Sequence, residues 1–421
     1  MRLSPLVATS TEEVLREVLR FAGPADVVLS RYFREHPKLG SRERGALAEA
    51  VYAVLRNRLV FNHLAESGSG PAMRRLALLG LAETVGISAI GGITEPEVQW
   101  LNRVAQVDRA SMPLAVRLNL PSWLFVRLVK QFGEEGTTAF AQGLNQPAPL
   151  DLRVNSLKAE RDDVLAQLRQ AEVACEPTSY SPLGIRLGGK PALQHLPVFQ
   201  QGLVEVQDEG SQLLVQAVGA RRGEMVADFC AGAGGKTLGL GAAMRNTGRL
   251  YAFDVSDKRL AKLKPRLARS GLSNVHPAVI AHENDAKVKR LAGKLERVLV
   301  DAPCSGLGTL RRNPDMKWRQ TETGLAELTA KQGSILCAAA RLVKPGGTLV
   351  YATCSILQEE NQDIVQAFLA ANPAFELVPM NQVLAAQKID LDTGEFLQLA
   401  PHVHNTDGFF AAVMKRQAAK P

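Results

Sequence analysis

The sequence predicts an α/β protein: a doubly wound, mostly parallel sheet, preceded by a small α/β subdomain and an all-α N-terminal region. Three observations lead there. The first ~145 residues carry apolar positions at helical spacing and no alternating, strand-like run. A proline-bearing break, "NQPAPLDLRVN" (residues 145–155), then opens an alternating stretch. From Gly210 onward, short apolar runs alternate with helical patterns, as in a parallel sheet wound by helices. The boundaries expected from these changes are 1–145, 146–208 and 209–421.

In the N-terminal region, "STEEVLREVLRFAG" places Ser10 and Glu13 at capping-box spacing and Val14, Leu15, Val18, Leu19 and Ala22 on one face. Gly23-Pro24 is expected to end this helix. "SRERGALAEAVYAVLRNR" repeats the logic, with Ser41 as cap and Leu47, Ala50, Val51, Val54 and Leu55 as the stripe. Across 64–92 several glycines loosen the pattern, and helices resume around 97–107 and 123–132. The second part reads as a strand, a helix over 162–170, and short strands through Ile185 and Val204. In the third part strands are expected at 225–230, 249–254, 297–301, 347–353 and 408–414. Ligands of such sheets sit at the carboxyl ends of the strands.

Composition narrows the function classes. The chain has 421 residues, 46% of them apolar, and its mean hydropathy is −0.04. No apolar run approaches the ~20 residues of a membrane span. The N-terminus lacks the basic start and apolar stretch of a signal peptide, so a cytoplasmic monomer is expected. The five cysteines, at 175, 230, 304, 337 and 354, form no Cys-x-x-Cys pair, which argues against a disulfide framework or a zinc site. His402-x-His404 is a poor metal argument, and no metal is expected. Net charge is +8, yet residues 258–319 alone hold fifteen Lys or Arg against five Asp or Glu, which suits a polyanionic partner.

"VADFCAGAGGKT" (residues 226–237) lies between a strand and a helix. A phosphate-binding P-loop would need glycine where Cys230 stands, and a dinucleotide fingerprint from Gly232 and Gly234 would need its third glycine at Thr237. An S-adenosylmethionine loop is the third candidate, because glycines admit close backbone approach and an acid can pair with the ligand's ammonium. Asp254, 22 residues after Gly232, ends the next expected strand and can accept from ribose hydroxyls. That role is common to nicotinamide dinucleotides and S-adenosylmethionine, so Asp254 supports a nucleoside without choosing. Asp285 in "HENDAKV" is either an acid at the following strand end, near the adenine edge, or a surface acid.

"LVDAPCSGLG" and "TLVYATCSIL" each deliver a cysteine, Cys304 and Cys354, at the exit of an apolar run. Methylation of carbon 5 of cytosine has a use for such a pair. That carbon is a weak nucleophile, and a thiolate adding to carbon 6 turns the ring into an enamine-like species that can accept a methyl group. An acid contacting ring N3 stabilises the adduct, and a base must then take the carbon-5 proton. "DAPC" and "TC" at neighbouring strand ends supply an acid, Asp301, and both thiols.

These segments, "DFCAGAGGKT", "LVDAPCSGLGTLRRNPDMKW" and "LVYATCSILQEEN", resemble the Sun/RsmB-type RNA cytosine-5 methyltransferases over residues 151–415 at least; "LRVNSLK" and "VQDEGSQLL" match as well. The resemblance implies a class I methyltransferase sheet. It implies Cys354 as the nucleophile, Cys304 in product release and Asp301 on the cytosine. It also implies cofactor contacts at Cys230, Ala231, Gly232, Ala233, Gly234, Gly235, Lys236, Asp254, Asp285 and Asp301. The chain departs from the family at Ala231-Gly232-Ala233, where Ala-Ala-Pro is usual. The N-terminal helices resemble the NusB-like RNA-binding domain of members that act on small-subunit ribosomal RNA, which makes ribosomal RNA the expected partner.

In "GTLRRNPDMKWR", Arg311, Arg312, Lys317 and Arg319 are expected to meet phosphates, and Trp318 either stacks on a base or packs in the core. A cytosine must leave any stack to reach Cys354, so an unpaired or openable base is the expected target. Two other readings stand beside this one: a non-catalytic RNA-binding or assembly factor that keeps the fold, and a nicotinamide oxidoreductase.

Overall fold

The computed structural model describes residues 2–418. It contains two compact units: one comprises the chain up to Gln146 together with Thr309–Glu322, the other Pro147–Gly308 and the chain from Thr323 onward. No helix among the described residues is long and apolar enough to cross a membrane.

The first unit is helical. Its opening helix, Pro5–Val18, starts earlier than its capping-box spacing suggests. Ser4 is the cap, its hydroxyl accepting from the Leu6 amide (3.3 Å), and Pro5 supplies a pre-set φ at the first helical position. Ser10 is therefore buried mid-helix, and Glu13 accepts from the Tyr32 hydroxyl (2.6 Å) instead of a backbone amide. The helix stops at Val18, short of Gly23-Pro24. Ser41 is the first residue of helix Ser41–Arg56 rather than its cap; the Gly40 amide donates to Glu43 Oε2 (3.3 Å).

Within 64–92 runs a full helix, Ala72–Val85. Leu76, Ala77, Leu78, Leu79, Gly80 and Leu81 are all buried, so the segment is apolar all round and shows no stripe.

Thr309–Glu322 completes this unit. Trp318 Nε1 donates to Leu55 O (2.8 Å), and Lys317 Nζ donates to Arg56 O and Asn145 Oδ1 (3.2 Å each). Arg56 Nη2 donates to Arg311 O (3.2 Å). Lys317 is 1% exposed and Arg311 3%, so these two side chains are spent on packing and are not presented to phosphates as the sequence suggested. Arg312 and Arg319 remain partly exposed, Arg319 beside Asp315 (3.4 Å).

The second unit holds two sheets. The smaller is built from β1 (Leu150–Val154), β2 (Cys175–Pro177), β3 (Gly184–Leu187) and β4 (Val204–Val206), in the order β2-β3-β1-β4 with antiparallel pairs throughout. Helix Arg161–Gln170 covers it, burying Val164, Leu165 and Leu168 against Leu152, Val154, Ile185 and Leu187.

The larger sheet has eight strands: β5 (Met225–Asp228), β6 (Arg249–Asp254), β7 (Val275–Val279), β8 (Leu295–Asp301), β9 (Val343–Thr353), β10 (Phe375–Val378), β11 (Leu397–Leu399) and β12 (Phe409–Arg416). Their order is β10-β12-β9-β8-β5-β6-β7, with β11 added to β12. The run from β9 to β7 is parallel, and β12 reverses it. The expected doubly wound, mostly parallel sheet is thus present. β9 begins four residues before the expected 347, because Lys344 to Gly347 loop out of the ladder before pairing with β8 resumes at Thr348. Val298, Leu299 and Val300 of β8 are wholly buried, as a central parallel strand requires.

Candidate active site

The carboxyl ends of β9, β8, β5 and β6 lie side by side and bring Thr353, Asp301, Asp228 and Asp254 to one edge of the sheet. The glycine loop leaves β5 there. Its first turn is fastened to both neighbours: the Phe229 amide donates to Leu299 O and the Ala231 amide to Phe253 O (2.8 Å each). The Gly232 amide donates to Asp254 Oδ2 (2.8 Å), whose Oδ1 accepts from the Ser256 amide (2.7 Å). Asp254 therefore braces the loop as well as ending its strand. Gly234 has φ +83° and caps helix Gly235–Ala243, and a Cβ there would lie 2.2 Å from Leu263 Cδ1.

Behind the loop two arginines hold its carbonyls. Arg266 Nη1 donates to Ala233 O (2.6 Å), and Arg153 Nη1, from the small sheet, donates to Gly235 O (2.8 Å).

Lys236 projects from the first turn of that helix, and its Nζ bonds Asp301 Oδ2 at 2.7 Å. Burial alone would lower the ammonium, but the charge and hydrogen bond of Asp301, with Cys354 and Asp228, raise it above its ordinary value. Asp228 is fully buried. Burial pushes its carboxyl up to about 7, against the hydrogen bond from Thr237 Oγ1 (2.6 Å) and with help from Asp301. Its Oδ1 has no hydrogen-bond partner among the described residues.

That orphaned oxygen tests which ligand suits the loop. Three carboxylates, Asp228, Asp254 and Asp301, surround it, and after burial they are what push the Cys230 thiol well above its usual range. A negative surround with an unused buried acceptor fits a ligand carrying an ammonium and a sulfonium, and disfavours a pyrophosphate. S-adenosylmethionine fits; a nicotinamide dinucleotide does not.

The two cysteines meet. Cys304 Sγ and Cys354 Sγ are 3.4 Å apart, although 50 residues separate them in the chain. The hydrogen bond with Cys354, then burial, then the charges of Cys354 and Glu360 hold the Cys304 thiol well above the ordinary range. The loops are interlocked through backbone: the Gly308 amide donates to Cys354 O (2.9 Å) and the Gly408 amide to Gly308 O (2.8 Å). A Cβ on Gly308 would lie 2.0 Å from Gly408 O, so only glycine fits.

Of the residues singled out from sequence, Lys236 and Asp301, Cys304 and Cys354, and Gly232 and Asp254 are brought into direct contact. Asp285 is not at a strand end. β7 stops at Val279, and Asp285 caps the short helix Ala286–Lys289, where amides of Ala281 (2.9 Å) and Lys287 (2.8 Å) hold its carboxyl below the usual range. Sequence reasoning passed over Asp228, Thr237, Ser305, Ser355, Gln332 and Glu360. The signal for Asp228 was its place as the last residue of an apolar strand before the glycines; Gln332 carries no such mark.

Comparison with known proteins adds the following. Residues 215–415 match the family model described as 16S rRNA methyltransferase RsmB/F, and residues 120–194 match a ferredoxin-like domain model of RsmF/B-like methyltransferases. A protein of Synechocystis named "Probable ribosomal RNA small subunit methyltransferase B" is 31% identical over 440 aligned positions, covering 96% of this chain and 98% of that one. One of the same name from Bacillus subtilis is 30% identical and covers 90% and 92%. The crystal structure of a methyltransferase homolog protein from Pyrococcus horikoshii, 28% identical, superposes with a TM-score of 0.63 over 74% of this chain and all of that one.

Proposed function

The chain belongs to the RsmB/F family of 16S rRNA cytosine-5 methyltransferases, and we propose that it methylates carbon 5 by covalent catalysis from Cys354, with Cys304 assisting release. S-adenosylmethionine, when bound, supplies the methyl group. The observation that carries the reading is the 3.4 Å approach of the two thiols beside the Lys236–Asp301 pair.

Cys354 Sγ attacks carbon 6, forming a carbon–sulfur bond and moving the π electrons of the carbon 5–carbon 6 bond toward carbon 5. The Lys236 ammonium lies where it can offset the thiolate's charge, and Asp301, held by Lys236, would meet the N3 edge of the base, accepting from the exocyclic amine and from N3 once the ring has taken up a proton. After carbon 5 has been methylated, its proton passes to solvent water, the ring double bond re-forms and the carbon–sulfur bond breaks. Cys304, kept as a thiol, donates its S–H to the departing Cys354 sulfur 3.4 Å away. The loop from Cys230 to Lys236, with Asp254 and Asp301, would hold the cofactor, and the unused Asp228 Oδ1 would offer an acceptor to its ammonium. Asp285 would take part only from the loop after β7. Arg312 and Arg319 are the members of their segment still able to meet RNA phosphates, and the helical unit is the proposed RNA-binding domain.

A denaturing gel of RNA-bound protein tests the reading. With Cys304→Ala, a stable RNA–protein adduct is expected, and it should vanish when Cys354→Ala is added. An adduct that depends on Cys304 instead would reverse the roles. Full methyl transfer by Cys354→Ala would sink the mechanism.

A further inference from the structure

The two cysteine loops share one buried carboxylate. Glu360 closes the short turn Gln358–Glu360 after β9 and is sealed from solvent. Its Oε1 accepts from the Ser305 amide (2.8 Å) and from Gln332 Nε2 (2.9 Å). Its Oε2 accepts from the Ser305 hydroxyl (2.5 Å) and, through a short bond, from the Ser355 hydroxyl. Four donors fill the capacity of an ionised carboxylate. Ser305 follows Cys304 and Ser355 follows Cys354 in the chain, so one rigid group grips the residue next to each thiol.

The opposite flanks are held as well. Gln332 Nε2 also donates to Pro303 O (2.9 Å), on the other side of Cys304. Asn361 accepts from the Thr353 hydroxyl (2.5 Å) and donates to Ser355 O (3.1 Å), before and after Cys354. The Tyr351 hydroxyl donates to Glu360 O (2.7 Å) and ties the turn to β9. Burying a charge is costly, and two loops can be joined more cheaply by apolar contact. What the carboxylate adds is direction: its bonds converge from both loops on three atoms that cannot move independently.

We propose that Glu360 is a positioning residue for both thiols: by tying Ser305 to Ser355 it fixes the Cys304–Cys354 sulfur separation that attack of Cys354 at carbon 6 and its departure from that carbon require. The inference rests on the covalent reading above. One sulfur attacks carbon 6 and the S–H of the other must meet it as it leaves, so a drift of the loops impairs both steps. The charge of Glu360 also lies against Cys304, where, after Cys354 and burial, it helps keep that thiol protonated and leaves attack to Cys354.

The test uses the full chain as wild type, Glu360→Gln, Glu360→Ala and Ser355→Ala, with two readouts. One is methyl transfer to a 16S rRNA transcript. The other, without RNA, is closure of a Cys304–Cys354 disulfide by diamide, which takes up the two thiol hydrogens, followed by peptide mass mapping. Glu360→Ala is expected to lower kcat about 100-fold with little change in KM for RNA, and to slow disulfide closure about tenfold. Glu360→Gln, which keeps the shape and one acceptor oxygen, should recover part of both. Ser355→Ala, lacking one of the four bonds, should fall between Gln and Ala and carries the test should Glu360→Ala fail to fold. Wild-type kcat and closure in the Glu360 variants would overturn the proposal, as would lost kcat with unchanged closure. The covalent reading fails separately, through an active Cys354→Ala, a result that does not bear on closure rates measured in chains that keep both thiols.

Discussion

Replacing Lys317 by methionine should change the pH dependence of stability of the helical unit. The amine is buried, and burial, with the Arg56 charge in second place, lowers it from 10.5 to about 7. Between those values the unfolded chain binds a proton that the folded chain does not, so wild type gains stability as pH rises from 7 toward 10.5. The full penalty below pH 7 is about 5 kcal/mol, at 1.36 kcal/mol for each pH unit, and about 2 kcal/mol of it is relieved between pH 7 and pH 9. Lys317→Met cannot titrate. It also leaves Arg56 O and Asn145 Oδ1 without this donor, a cost of about 1–3 kcal/mol that is the same at every pH. The slope of the difference is therefore the informative quantity, because every other titration cancels in it. Urea titrations followed by tryptophan fluorescence report on this unit, since Trp100, Trp123 and Trp318 all belong to it. A wild-type-minus-variant difference that stays flat or falls between pH 7 and 9 would refute the burial argument.

Asp228→Asn should show the opposite trend: with a folded value near 7 against 3.8 unfolded, wild type loses stability as pH rises. The difference between wild type and variant should fall by about 3 kcal/mol from pH 5 to 8, read by circular dichroism in urea. Asp254→Asn offers one acceptor oxygen where Gly232 and Ser256 now use two, so calorimetry should find S-adenosylmethionine bound about tenfold more weakly, with RNA affinity unchanged. A chain starting at Pro147 lacks Leu55, Arg56 and Asn145, and emission from Trp318, its one remaining tryptophan, should shift to the red.

The parts of the fold that were legible in the sequence are those whose burial is one-sided or whose position is fixed by the chain. Cys304 and Cys354 follow apolar runs that became adjacent parallel strands, so their meeting followed from topology. Helix Ala72–Val85 was invisible for the converse reason: its middle, 76–81, is buried on every side and has no polar face to set the period. Ser10 and Glu13 fitted a cap because spacing alone does not reveal that Ser4-Pro5 had already started the helix. Lys317 looked like a phosphate ligand because its buried partners lie at Arg56 and Asn145, far away in sequence. Glu360 was illegible for a similar reason, since its donors come from Ser305, Gln332 and Ser355.

The allotment of Thr309–Glu322 to the helical unit bears on synthesis. The helices leave the ribosome first, yet the strand of chain that seats Trp318 against Leu55 and Lys317 against Asn145 emerges about 160 residues later. At ordinary elongation rates that is a delay on the order of 10–30 s. Through that interval the nascent helical unit lacks the side chains that bond Leu55 O, Arg56 O and Asn145 Oδ1, and its last contacts form only after most of the larger unit has appeared. An N-terminal region that looks autonomous in sequence is thus finished only after most of the chain has been made.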